Sequence, residues 1–194
     1  MIPRIAILFS GRGSNMKSLA HHIARLDVAA ELALTITNRP EAGGIAFCQT
    51  ENIACEIIDH KTFDSRAAFD AKLDNALRAA NIDVICCAGF MRLLTPDFVN
   101  GWLDRLINIH PSLLPKYPGL RTHQRAIEAG DTVHGCTVHY MRPEMDEGPI
   151  IVQKSVPILP NDTPETLSDR VLTQEHIAYP QALDVVLRKM AGTD

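Results

Sequence analysis

The segment NIHPSLLPKYPGL, Asn108 to Leu120, sets an amide and an imidazole two residues apart on an apolar run, then follows them with Pro111, Pro115 and Pro118. On a strand, residues i and i+2 share a face, so Asn108 and His110 project together, with Leu106 as the preceding member of that row. Ile107 and Ile109 fall on the opposite, core-facing side, and Pro111 ends the ladder. An Asn amide can donate to a developing oxyanion, and a His can hold or pass a proton near neutral pH. Ser112 follows two residues on, past a proline, and no Ser or Cys pairs obviously with the imidazole, which points away from covalent catalysis. The residue types alone leave a second reading open, in which Asn108 caps the loop and His110 is a hydrogen-bonded core residue.

Three further segments carry polar groups in unusual places. MRPEMDEGPI brings Glu144, Asp146 and Glu147 onto one turn closed by Gly148 and Pro149; one carboxylate could orient the imidazole or take a proton through water, and spacing does not choose among the three. Glu175 sits inside an apolar helical stripe of Leu167, Val171, Ala178, Ala182 and Val185. A carboxylate facing a core must find partners or neutralise, either on a polar ligand or on a buried cation or backbone. The loop SGRGSN, Ser10 to Asn15, follows an apolar run and precedes a helical pattern, the arrangement that offers backbone N–H groups to an anion. Met16 replaces the third small residue of a dinucleotide fingerprint, no acid follows the second strand in TITNRP, and the Walker lysine is absent. The loop fits a monophosphate better than a dinucleotide or a nucleoside triphosphate, with a tight turn that binds nothing as the alternative.

GFMRLLTP sets Phe90, Met91, Leu93 and Leu94 beyond another strand, as the wall of an apolar pocket or as the staple of the next helix. Arg66 lies in the first turn of its helix, where a cation opposes the dipole and an anionic ligand group would explain it. His21, His22, His60, His123, His134, His139 and His176 form no ligand pattern; His134 and His139 are an odd number apart on one strand, hence on opposite faces. No catalytic metal is expected.

The elements that must position these groups follow from periodicity. RIAILF (4–9), ELALTIT (31–37), CEIID (55–59), IDVICCAG (82–89) and RLINIH (105–110) read as buried strands. Between them run a helix from about Asn15, a weaker Gly-containing one in EAGGIAFCQTE, and the clearest one in FDSRAAFDAKLDNALRAA, with Phe69, Leu73, Ala76, Leu77 and Ala80 on one face. Continuous apolar runs separated by helices mean a parallel sheet covered on both faces. VHGCTVHY (133–140) and IIVQKSVPI (150–158) then read as an antiparallel pair. A last helix begins after Asn161, with Asp162 as N-cap, Glu165 at N3 and an early proline, and runs to about Lys189 with a disturbance at Pro180. The fold class is α/β, a Rossmann-like parallel half followed by a mixed sheet with antiparallel C-terminal strands.

The length of 194 residues suits one domain, residues 1–194, with a phosphate-binding half over about 1–100 and a second half over about 101–194. A net charge of −4 gives no electrostatic footprint for nucleic acid or an anionic membrane. Five cysteines without C-x-x-C spacing suggest a reduced, cytoplasmic protein with neither disulfides nor a zinc site. The N-terminal apolar run is too short for a signal segment or a membrane span.

In order, SGRGSN, AGFMRLLTP, NIHPSLLPKYPGL, HGCTVHY, MDEGPI and TQEHIAYP resemble the glycinamide ribonucleotide formyltransferase family of purine synthesis, over nearly the whole chain. The resemblance implies a formyltransferase fold and transfer of the formyl group of 10-formyltetrahydrofolate, as co-substrate and without metal, to the amine of glycinamide ribonucleotide. It implies Asn108, His110 and Asp146 as the catalytic trio, Gly13, Ser14 and Asn15 on the substrate phosphate, and Glu175 on the ribose. Met91, Arg92, Leu93, Leu94 and Met141 would border the folate, with Arg66 nearby. Arg121 departs from the family, where a His often stands, which puts a secondary proton-relay or loop role in doubt. Both small-molecule substrates are implied as partners, no nucleic acid or membrane is, and a homodimer is left open. A formyltetrahydrofolate hydrolase is expected to carry a further N-terminal domain, for which no room is expected before Arg4, and a methionyl-tRNA formyltransferase a tRNA-binding extension that is not expected here. A non-catalytic nucleotide- or folate-binding module is the alternative of another class.

Overall fold

The computed structural model describes residues 2–25, 27 and 29–193. The chain divides into two compact units, Met1–Ile107 and Asn108–Asp194.

The first unit alternates strands and helices: β1 (Arg4–Phe9), α1 (Ser14–Ile23), β2 (Glu31–Thr37), α2 (Gly44–Thr50), β3 (Cys55–Ile57), α3 (Arg66–Ala79), β4 (Val84–Cys87) and α4 (Pro96–Gly101). β1 pairs in parallel with β2 and with β4, and β2 in parallel with β3. Every residue from Ile5 to Phe9 and from Val84 to Cys87 is buried, so both faces of these central strands are covered. Ser65 caps α3 by accepting the Ala68 N–H, and Phe69, Asp70, Leu73 and Leu77 are the buried helix positions, while Ala76 and Ala80 are half-exposed. Thr95 caps α4 in the same way, with Pro96 opening the helix.

β5 (Leu106–His110) leads into the second unit, followed by α5 (Thr122–Glu128), β6 (Val133–Tyr140), β7 (Ile150–Pro157) and α6 (Pro164–Ala191). The strand order is β3-β2-β1-β4-β5-β6-β7, and β6 pairs antiparallel with β7. The α/β reading with parallel strands first and an antiparallel pair last is thereby borne out.

Four details differ from the sequence reading. The strands expected at 55–59, 82–89 and 105–110 are shorter, spanning Cys55–Ile57, Val84–Cys87 and Leu106–His110, although the Ile58, Asp83 and Ala88 N–H groups still donate to the Thr37, Arg4 and Leu8 carbonyls. α5 has no capping side chain to announce it; Arg121 precedes it in a left-handed conformation, φ 57°. Thr163, not Asp162, caps α6, in a reciprocal box with Thr166 rather than with Glu165, and Pro164 is the first helical residue. Asp162 instead accepts the Leu159 N–H and a two-pronged guanidinium contact from Arg170, both of which hold its carboxyl well below the usual carboxylate range. Finally, the α6 stripe runs through Leu167, Val171, Ala178 and Ala182 as expected but closes on Val186; Val185 is half-exposed, and Pro180 leaves the helix continuous.

Candidate active site

In the second unit, β5 ends on His110, where Pro111 cannot donate to a ladder. Leu106 and His110 are nearly as buried as Ile107 and Ile109, so both faces of the strand are covered and neither is the solvent side. Asn108 is half-buried. The His110 Nε2–H donates to the Tyr117 carbonyl at 2.9 Å, which leaves Nδ1 facing Asp146 Oδ2 at 3.5 Å. That separation is an ion-pair distance, longer than a hydrogen bond.

Of the three acids in the β6–β7 loop, Asp146 is the one that meets His110. Its side chain is 11 % exposed, and its Oδ2 accepts the Gly119 N–H at 2.8 Å. Asp146 itself takes a left-handed φ of 59°, a conformation that Asp tolerates better than most residues. Beyond it the loop is pressed onto β6: the Tyr140 N–H donates to the Pro149 carbonyl at 2.9 Å, and a Cβ on Gly148 would lie 1.6 Å from the Tyr140 carbonyl oxygen. Only glycine fits there, and the fit fixes where Asp146 sits.

His139 completes the group, although its sequence position gave no ligand pattern. Its Nδ1–H donates to the Tyr140 carbonyl at 3.0 Å, so Nε2 is the acceptor for the Asn108 amide Nδ2 at 3.4 Å. Burial lowers the His139 pKa despite the backbone bond and the nearby Asp146 charge, which keeps the ring neutral and Nε2 able to accept. Its 3.7 Å separation from Asp146 Oδ1 is therefore proximity, not an ion pair.

The loop behind β5 is pinned at several points. Thr137 Oγ1 donates to the Ser112 carbonyl at 2.6 Å and accepts the Leu114 N–H, while Gln153 reaches both the Leu114 carbonyl and Thr137. Thr122 Oγ1 holds the Pro111 carbonyl, and the Tyr117 hydroxyl donates to Asp131, which also pairs with Lys116. Two histidines pack beneath, His123 and His134, edge to face at 5.1 Å. Burial lowers both pKa values, that of His123 to about 4.

Glu175 is buried in the α6 stripe, 8 % exposed, as its position required. It lies near enough to Cys136 on β6 that its charge adds to burial in pushing that thiol up to about 12. Met141, just past β6, is half-buried.

In the first unit the glycine loop turns on Gly13, φ 72°, directly before α1. A Cβ on Gly13 would meet the Met16 methyl at 2.8 Å and the Gly44 Cα at 3.2 Å, so the loop lies against the start of α2. Gly44 also donates its N–H to the Gly11 carbonyl. Ser14 and Asn15 open α1, whose first-turn N–H groups have no intrahelical acceptors. Ser10, buried, donates to Asn38 Oδ1 at 2.5 Å and accepts the Met91 N–H at 2.7 Å, tying the ends of β1 and β2 to the loop after β4. Along that loop Met91 and Leu93 are exposed and Leu94 is buried; the Arg92 guanidinium lies over the Phe69 ring at 5.5 Å. Arg66 is exposed at the first turn of α3. Among the described residues no group of three or more His, Cys, Asp or Glu side chains could hold a metal ion.

A formyl transferase family model matches residues 3–183. The chain belongs to the formyl transferase family. As a formyl transferase it is 41% identical to the phosphoribosylglycinamide formyltransferase of Escherichia coli, over 91% of this chain and 83% of that protein. A crystal structure of phosphoribosylglycinamide formyltransferase from Brucella melitensis superposes with a TM-score of 0.90 at 44% identity, covering 94% of each chain. The trifunctional purine biosynthetic protein adenosine-3 of Drosophila melanogaster is 45% identical over 97% of this chain, which spans 14% of that protein's length. The resemblance read from the motifs is borne out, and no repeat of the larger relative's other activities follows from it.

Proposed function

We propose that this formyl transferase moves the formyl group of 10-formyltetrahydrofolate to the amine of glycinamide ribonucleotide, giving the N-formyl product and tetrahydrofolate in purine synthesis. The observation that carries the reading is the approach of His110 Nδ1 to Asp146, with the Asn108 amide oriented by neutral His139. Residues 1–194 make one formyltransferase domain, with about 1–100 as the phosphate-binding half and about 101–194 as the catalytic and folate-site half.

The formyl group arrives activated on a folate nitrogen, so neither a protein nucleophile nor a metal is needed. The amine attacks the formyl carbon and charge develops on its oxygen. One Asn108 N–H points to His139, and the other is available to that oxygen. His110 donates its Nε2–H to Tyr117 and turns Nδ1 toward Asp146; protonated there, or through a linked water, it stabilises the oxyanion together with Asn108. Asp146 orients the ring and relays a proton from the attacking amine to the leaving nitrogen through water. Gly13, Ser14 and Asn15 bind the substrate phosphate at the α1 N-terminus, and Glu175 accepts hydrogen bonds from the ribose hydroxyls. Met91, Arg92, Leu93, Leu94 and Met141 border the pterin, with Arg66 and Arg92 near the folate side of the site. Pinned positions for both reactants supply much of the rate enhancement.

Five free thiols support a reducing, cytoplasmic location. Among the described residues no helix is long and apolar enough to cross a membrane. Sedimentation of the active enzyme tests the homodimer.

A spectrophotometric assay with 10-formyl folate, run with and without glycinamide ribonucleotide, tests the function. Folate turnover that requires the ribonucleotide, with formylated product, is the expected result. Turnover without it would make the protein a hydrolase, and binding of both without turnover a binding module.

A further inference from the structure

Two cysteines that the reaction does not use meet in the first unit. Cys48 is buried on α2, and Cys55 opens β3 with its side chain half-exposed. Thr35 on β2 joins them. It is the register partner of Cys55 in the parallel β2–β3 ladder, so the two side chains leave the sheet on the same face. Its Oγ1 lies 3.4 Å from Cys48 Sγ. The Thr35 hydroxyl proton is committed to the Ala54 carbonyl at 2.9 Å, so the Cys48 thiol donates to Thr35. The turn between the cysteines is closed by the Ile53 N–H on the Cys48 carbonyl at 2.8 Å, and both cysteines neighbour the same Thr35 side chain, one through its hydroxyl and the other as its partner across the ladder.

We propose that Cys48 and Cys55 form a reversible thiol–disulfide pair that locks α2 to β3. The exposed partner reacts first: the Cys55 thiolate attacks a low-molecular-weight disulfide such as glutathione disulfide, forming a mixed disulfide and releasing one thiol. Cys48, deprotonated, then attacks Cys55 Sγ and displaces the second glutathione as its thiol. The two protein thiols are oxidised, one glutathione disulfide is reduced to two glutathiones, and a dithiol reverses the exchange. Burial raises the Cys48 pKa, so this second step is the slow one.

The lock has a route to the glycine loop. α2 begins at Gly44, whose N–H holds the Gly11 carbonyl and whose Cα touches the space beside Gly13. Fixing α2 one turn further on, at Cys48, restricts the helix on which that loop rests. On the phosphate-binding reading of Gly13–Asn15, oxidation changes the KM for glycinamide ribonucleotide more than kcat.

The test treats the whole protein with glutathione disulfide, alkylates the remaining thiols under denaturing conditions, and maps peptides by mass. The expected result is a peptide containing both Cys48 and Cys55 that has lost two hydrogens and carries no glutathione, reversed by dithiothreitol and absent in Cys55→Ser. A stable glutathione adduct on Cys55 with Cys48 alkylated, or no reaction at either thiol, overturns the pair. Cys48→Ala, which leaves Cys55 accessible, should instead trap the mixed disulfide; failure to trap it also counts against the order of attack. Cross-linking with an unaltered KM overturns the link to the glycine loop while leaving the pair standing. An assay without ribonucleotide dependence before any oxidation marks a failure of the functional reading instead.

Discussion

The amide nitrogen of Asn108 lies 3.4 Å from Nε2 of His139, a ring that burial keeps neutral. The contact fixes which way the Asn108 amide faces, because a neutral Nε2 with its proton on Nδ1 can only accept. Replacing His139 by Phe removes the acceptor and frees the amide to rotate. Turnover should fall about tenfold, within the range for a supporting partner of a reactive group, with the KM for both substrates close to unchanged. A KM rise without a kcat loss would instead make His139 part of a binding surface.

Asn108→Ala removes the donor itself. A loss of about 10²–10³-fold in kcat is expected, the scale for one oxyanion donor. Steady-state kinetics on a variant with native circular dichroism checks it, and near-normal turnover would take Asn108 out of the mechanism.

Asp146→Asn preserves the shape of the side chain and an oxygen for the Gly119 N–H, but removes the charge 3.5 Å from His110. Most activity should disappear while both ligands still bind in calorimetric titration. Loss of binding in place of catalysis would recast Asp146 as a ligand residue.

Gly148→Ala puts a methyl group where the Tyr140 carbonyl oxygen is, 1.6 Å away. The backbone must move, and the variant should lose about 2 kcal/mol or more of stability. It should also lose turnover, since the same loop places Asp146. Denaturant melts and kinetics measure the two effects separately.

His123 is held neutral in the folded protein, with its pKa lowered from 6.5 to about 4 by burial and then by the neighbouring His134 and His110. The unfolded chain therefore binds a proton that the folded one refuses. Stability from this site is full above pH 6.5 and is lost as pH falls from 6.5 towards about 4. In His123→Phe the drop in Tm between neutral and mildly acid pH should shrink by about 2–4 °C, the shift for roughly 1 kcal/mol in a chain of this size. An unchanged pH slope would show that the ring is solvated.

What could be read from the sequence was what depends on neighbours along the chain. Asn108 and His110 share a strand, so their common projection followed from alternation, and Glu175 betrayed itself by breaking a helical stripe. Asp146 could not be told from Glu144 and Glu147, because the choice is made by contacts distant along the chain, with the Gly119 N–H and His110, once Gly148 folds the loop onto Tyr140. His139 was invisible for a related reason. β6 is buried on both faces, so alternation separated His134 from His139 without saying which side faced Asn108 and His110. Ser10 and Asn38 were missed because each looks like an ordinary turn residue until β1 and β2 lie side by side. The α6 cap slipped by one residue because Asp162 and Thr163 are both good caps, and Arg170 claimed the aspartate.

The Ser10 hydroxyl has a consequence for how the loop after β4 breathes. The Met91 side chain is 61% exposed, yet its N–H is hydrogen-bonded to an oxygen on a residue only 3% exposed. Solvent contact of the side chain and protection of the amide are therefore decoupled at this position. Deuterium uptake at Met91 reports the parting of three strand ends rather than the wagging of a surface loop, because the N–H is released only when the Ser10 contact breaks. A segment that looks loose by its side chains is tethered through its backbone.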